Sequence, residues 1–209
     1  MLSPRKTAAS VTASLKDEIS MLKKELLIKD KIIQTLENKC AAFETRLADL
    51  DSRVDHGEQY SRRESVRITG IPEKTNEDVE NIVMKLGEAI GADILPDMID
   101  RAHRVGPFKP TNATPRPIIC KFTGHKQKMI LMMKKRKLAD IDTRSKFDAE
   151  KVYINDDLTR MRAEVAAKAR VLKRERKIKD TYVRNGIIFI RKLNDDLIPT
   201  TNTSHLTNL

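Results

Sequence analysis

The sequence predicts an α + α/β chain: an N-terminal parallel coiled coil, a basic βαββαβ domain and a small C-terminal domain of one helix and a β-hairpin. Three observations carry this. Apolar residues recur with a heptad period from Leu15 to Val54. The hydrophobic period then changes, with strand-like alternation and helix-like stripes taking turns. Charge divides the chain at the same place. The first 60 residues hold ten of the 41 Lys/Arg and ten of the 30 Asp/Glu, so the whole net charge of +11 sits in the remaining 149.

With Ile19 at position a, the a set is Ile19, Leu26, Ile33, Cys40, Leu47 and Val54. The d set is Leu15, Leu22, Lys29, Leu36, Phe43 and Leu50. A 3.5-residue apolar period held this long makes a seam that one helix cannot bury alone. The flanking pairs from g to the following e′ are Glu18–Lys23, Glu25–Asp30, Ile32–Glu37, Lys39–Glu44, Arg46–Asp51 and Arg53–Glu58. Four attract and one, Glu25–Asp30, repels, which favours parallel self-assembly. Three heptads near the end, including Arg46-Leu47…Leu50-Asp51, resemble the Arg-h-x-x-h-Glu pattern of parallel trimers. A homotrimer is favoured over a homodimer. Lys29 at d marks either register or a lysine snorkelling outward. Residues 1–11 are expected to be disordered, and the coiled coil to span 12–60.

A head domain is expected over 61–155. Ser65 to Pro72 alternates as a strand. Asn76 to Ile90 carries Val79, Ile82, Val83, Leu86 and Ile90 on one helical face, with Asn76 as N-cap. Ile99 to Gly106 reads as a second strand and Pro107 to Pro117, with four prolines, as a loop. Pro117 to Phe122 is a third strand, Lys126 to Leu138 a second helix and Val152 to Asn155 a fourth strand. This is the split βαβ order of an RNA-recognition motif, hence an RRM-like domain. Phe122 reads as core rather than as a stacking platform.

Asp156 to Asp180 reads as a long helix opening the C-terminal domain over 156–198, with Asp156 and Asp157 at its positive end. From Lys168 to Lys179 it holds seven Lys/Arg and one acid. Asn185-Gly186 between apolar runs predicts a two-stranded hairpin. The Thr/Asn-rich residues 199–209 are expected to be a disordered tail.

Basic heads on a neutral stalk point to a polyanion, with nucleic acid first and an anionic membrane surface second. No apolar run approaches the ~20 residues of a membrane span, and Met1 to Thr12 lacks a signal-peptide core. No membrane partner is expected. Cys40 and Cys120 fit a reducing compartment. They and the four histidines have no metal-ligand spacing, so no metal and no cofactor are expected. Glycine is too scarce for a phosphate loop, and Asp156-Asp157 and Asp195-Asp196 are neighbours whose side chains diverge, so no catalytic residues are expected.

One ordered string of motifs carries a resemblance. It runs Arg62-Arg63-Glu64, Gly70-Ile71-Pro72-Glu73, Arg101-Ala102-His103-Arg104-Val105-Gly106, Arg116-Pro117-Ile118-Ile119-Cys120-Lys121-Phe122, Tyr153-Ile154-Asn155-Asp156-Asp157-Leu158-Thr159 and Asn185-Gly186-Ile187-Ile188-Phe189-Ile190-Arg191. Placed behind a coiled coil, it resembles the first-open-reading-frame protein of LINE retrotransposons, the transposase-22 family. The resemblance implies a homotrimer that binds single-stranded RNA and DNA with little sequence preference and acts as a nucleic-acid chaperone in cytoplasmic ribonucleoprotein particles. The run Lys134-Lys135-Arg136-Lys137 offers nuclear import as an alternative to a phosphate contact. The expected interface is Arg62, Arg63, Arg67, Arg104, Arg116, Lys121, Lys135, Arg136, Lys173, Arg174 and Arg184, gathered in a cleft between the two head domains. Motif alignment within the resemblance points to Arg67 and Arg104; charge points to the others. The rival reading is a coiled-coil adaptor whose heads bind protein.

Overall fold

The computed structural model describes residues 4–107 and 114–206 and divides into two units, 1–54 and 55–209. Most of the proline loop expected at 107–117, and residues 1–3 and 207–209 of the expected disordered ends, lie outside the described residues. The chain is mixed α and β, with a long N-terminal helix followed by antiparallel strands and shorter helices.

Helix α1 runs Pro4–Ser61, so helix replaces the disorder expected over 4–11. Proline suits a first turn, where its missing N–H is unneeded. All the apolar a and d residues described from Leu15 to Val54 are exposed in the single chain, between Leu50 at 43% and Val54 at 67%. Lys29 reaches back one turn to Glu25, Nζ to Oε1 3.0 Å. That neutralises the one acidic g residue whose expected e′ partner is also an acid. The second unit begins at Asp55, not at residue 61 as the heptads suggested.

Within the second unit β1 (Ser65–Thr69), β2 (Ile99–Arg104), β3 (Ile118–Phe122) and β4 (Tyr153–Asp156) form an antiparallel sheet in the order β2-β3-β1-β4. Helices α2 (Val79–Ala89) and α3 (His125–Lys134) pack on one face. Val66, Ile68, Ile118, Cys120, Phe122 and Ile154 meet Val83, Leu86, Ile90 and Leu131 in the core between them. Each fully buried side chain of this kind contributes about 1.5–3 kcal/mol. Phe122 is wholly buried there. Asp78, not Asn76, caps α2, accepting from Asn81 N at 3.0 Å; Asn76 sits at φ 55° in the turn before it. Gly70, at φ 99°, is forced, because a Cβ there would collide with the Lys151 carbonyl.

The helix expected over 126–138 stops at Lys134, and Lys135–Ala139 tightens into a 3-10 turn that brings Leu138 to the core. A short helix α4 (Thr143–Phe147), unanticipated from sequence, follows under an Asp142 cap. The long helix expected from Asp156 to Asp180 is shorter. Asp156 ends β4, and α5 spans Arg160–Arg174 with Thr159 as N-cap. Arg176, at φ 59°, turns the chain out of the helix. The expected hairpin is present as β5 (Asp180–Arg184) and β6 (Ile187–Arg191), with Asn185 and Gly186 both at positive φ. It is not a two-stranded ribbon. Leu197–Thr200, expected to be partly tail, pairs with β6 as β7, and Leu206 packs on α5 with Val165, Ala169, Ile188 and Ile190. Pro199 is tolerated because β7 is an edge strand.

Candidate nucleic-acid interface

The face of the four-stranded sheet away from α2 and α3 is set by strand alternation. β1 turns Val66 and Ile68 inward and Arg67 and Thr69 outward; β3 turns Ile119 and Lys121 outward. Register aligns Arg67 with Ile119 and Asn155, and Thr69 with Tyr153. On the outer strand, Arg101 and His103 are exposed opposite Lys121 and Ile119. Lys121 lies 3.2 Å from Asp100, the bulged residue of β2.

At the β4 end this face passes into a cleft of ≈ 780 Å³ against the end of α1 and against α5. Arg62, Arg67, Arg160 and Arg170 line it, with Glu58 and Asp156 as the acids. A second cavity of ≈ 760 Å³ holds Lys135, Arg136 and Lys151 beside Glu150. Among the described residues the two share Tyr153 and Asn155 alone. A smaller space of ≈ 210 Å³, bounded by Lys135, Asn155, Arg170 and Tyr182, adjoins both. Tyr182 stacks on Phe189 with centroids 5.1 Å apart and planes at 12°.

The short segment after β4 fixes this arrangement. Asp157, with its side chain 3% exposed, accepts from Arg62 Nη1 at 2.8 Å and from Arg67 Nε and Nη2 at 3.0 and 2.8 Å. Its backbone carbonyl accepts from Gln59 Nε2, while Gln59 Oε1 accepts from Thr159 N. Asp55 accepts from the Thr159 hydroxyl at 2.5 Å and from Arg162 Nε at 2.7 Å, and Arg162 also donates to the Gly186 carbonyl. Asp156 pairs with buried Lys128 at 2.5 Å. Asp156 therefore holds a buried lysine and Asp157 two half-buried arginines, and neither opens a helix. Among the described residues no buried side-chain nitrogen or oxygen lacks a partner. A buried pair survives desolvation only when its remaining bonds are satisfied, as these are.

The expected interface residues separate accordingly. Arg62, Arg67, Lys135 and Arg136 line the cleft system, and Lys121 lies on the open face. Burial holds Lys135 below the usual lysine range, with Lys128 and Arg136 adding to it and Asp156 opposing. Arg104 is a correction. Its side chain is 5% exposed, and all five N–H groups are engaged, by both Glu77 oxygens and by the carbonyls of Ile71, Pro72 and Arg116. No donor is left for a phosphate. Arg116 is spent on Glu73 and the Gly106 carbonyl, and it holds the Glu73 carboxyl below its ordinary range. Arg63 lies 4.1 Å from the Tyr60 ring centroid, and Lys173 pairs with Asp180 at 2.5 Å. Lys173, Arg174 and Arg184 are exposed but line none of these cavities.

Sequence reasoning did not single out Arg101, His103, Lys151, Tyr153, Asn155, Arg160 and Arg170. Alternation about Ala102 and Ile154 marks the strand residues, and the basic run from Lys168 to Lys179 contains Arg170; Lys151 and Arg160 have no local signal. Among the described residues no group of three or more His, Cys, Asp and Glu could hold a metal, and no helix is long and apolar enough to cross a membrane. No protein-family model matches the chain, and no curated protein matches it.

Proposed function

We propose that this chain is an oligomeric, largely sequence-independent single-stranded RNA- and DNA-binding protein, acting as a nucleic-acid chaperone of a LINE-type retrotransposon ribonucleoprotein. The observation that carries the reading is the open sheet face running into a cleft lined by Arg62, Arg67, Arg160 and Arg170. Strand order β2-β3-β1-β4 with both helices on one face supports an RRM-like sheet, whose free face is where single strands bind. The exposed a and d residues of α1 support self-association as a coiled coil, because a lone helix gains nothing by leaving such a stripe in water, and the g–e′ pairs and the Arg-h-x-x-h-Glu likeness favour a parallel homotrimer.

Phosphate contacts release counterions, so single-strand affinity should fall linearly on logarithmic axes with salt, by about 0.7 per contact. Arg136 and Arg170 are exposed, and neither makes a salt bridge or side-chain hydrogen bond among the described residues. Arg136→Ala and Arg170→Ala should each weaken single-strand binding, reduce the salt slope by about 0.7 and leave the melting temperature within a degree or so. Titration of labelled oligonucleotides at several salt concentrations measures this. An adaptor with protein-binding heads would show no affinity to titrate.

A further inference from the structure

We infer that Tyr153 is a base-stacking platform and the point at which the site distinguishes an unpaired strand from a backbone alone. This rests on the proposed function and deepens it. Tyr153 stands on the outer face of β4, 54% exposed, with no apolar core to fill. Among the described residues, it and Asn155 are the only ones common to the two larger cavities, each of which carries its own cations. Both cavities lie within the ~300–1,000 Å³ of small-ligand pockets.

A strand whose phosphates contact Arg67 in one cavity and Arg136 in the other crosses the strip that the two cavities share, which Tyr153 and Asn155 form. A base unstacked there gains an aromatic face, and Asn155, two residues along the same face, offers an amide to its edge. A duplex keeps its bases inside and gains neither contact. The phenol hydroxyl is not required by this geometry; the ring is.

The test compares two oligomers of about 15 units with equal charge, one of thymidine and one abasic. Wild type should bind the thymidine strand more tightly. Tyr153→Ala should weaken that strand roughly 5- to 150-fold, the span of base–aromatic stacking, and leave abasic binding unchanged. Tyr153→Phe should restore the affinity. The chain has no tryptophan, so Tyr153→Trp gives a single indole. Its fluorescence should be quenched by the thymidine strand and not by the abasic one. Equal binding of both strands by wild type and Tyr153→Ala overturns the platform while leaving nucleic-acid binding intact. A wild-type protein that binds neither strand overturns the nucleic-acid reading and this inference with it.

Discussion

Arg104 shows how a residue can carry the right charge in the right motif and still be unable to serve a ligand. Its five donors are shared among Glu77 and three backbone carbonyls, two from the adjacent Ile71 and Pro72 and one from Arg116. Those partners lie 12–33 positions away in sequence, so neither burial nor saturation is visible locally. Arg104→Ala should leave Glu77 half-buried without its cation and destabilise the fold by about 3–5 kcal/mol. Urea unfolding should show a lower midpoint at an unchanged slope. An unaltered midpoint with weaker oligonucleotide binding would return Arg104 to the surface role its motif suggested. Cys120 gives a pH prediction of opposite character. Burial, with Glu80 adding, pushes its thiol from 9.0 up to about 12. Between those values the unfolded chain releases a proton that the folded chain retains. This contribution is therefore complete below pH 9 and is lost as pH rises towards 12, by about 1.4 kcal/mol per unit. Wild type should lose more stability than Cys120→Ala between pH 9 and 10 in parallel urea titrations.

Elements with strong local chemistry were legible in the sequence; those that depend on distant partners were not. Asn185-Gly186 supplied both positive-φ residues of the hairpin, and the apolar runs marked β1 and β3 as strands, whose structure turns Arg67 and Lys121 outward. The strand β7 carried a proline and a Thr/Asn-rich flank, so only its pairing with β6 identifies it. The end of α5 was misjudged because its basic run continues past the left-handed turn at Arg176. In α1, Lys29 occupies a d position and offsets Glu25. Lys29→Leu should raise the thermal midpoint of the proposed coiled coil. It places an apolar group worth about 1.5–3 kcal/mol at the seam and removes an exposed pair worth about 0.3–0.5 kcal/mol. Leu36→Asp should act in reverse and yield monomers in sedimentation, with the head's circular dichroism retained. Monomeric wild-type protein would remove the assembly altogether.

For the molecule as a whole, the boundary at Asp55 decides which fragments can be compared. Residues 55–209 keep the Asp55 and Gln59 contacts with Thr159 and Arg162, and residues 61–209 lose them. Arg162, 3% exposed, would then be a buried cation without its carboxylate. The shorter fragment should be less stable by about 3–5 kcal/mol in urea. Equal stability of the two would show that the joint does not depend on these residues. At equal head concentration, full-length protein should exceed 55–209 in single-strand avidity by about 10²–10⁴ under the proposed function, because the second and third contacts of the proposed oligomer become intramolecular. The Asp55–Arg162 pair also has a consequence for heredity. Its members lie 107 positions apart, and a substitution in either codon strands the other. Gly186 is bound in the same way to Gln59, whose side chain occupies the space that a Cβ at 186 would need. As copies of this gene drift apart, position 55 should covary with 162, and 186 should stay glycine for as long as 59 stays long, leaving a paired signature in the lineage.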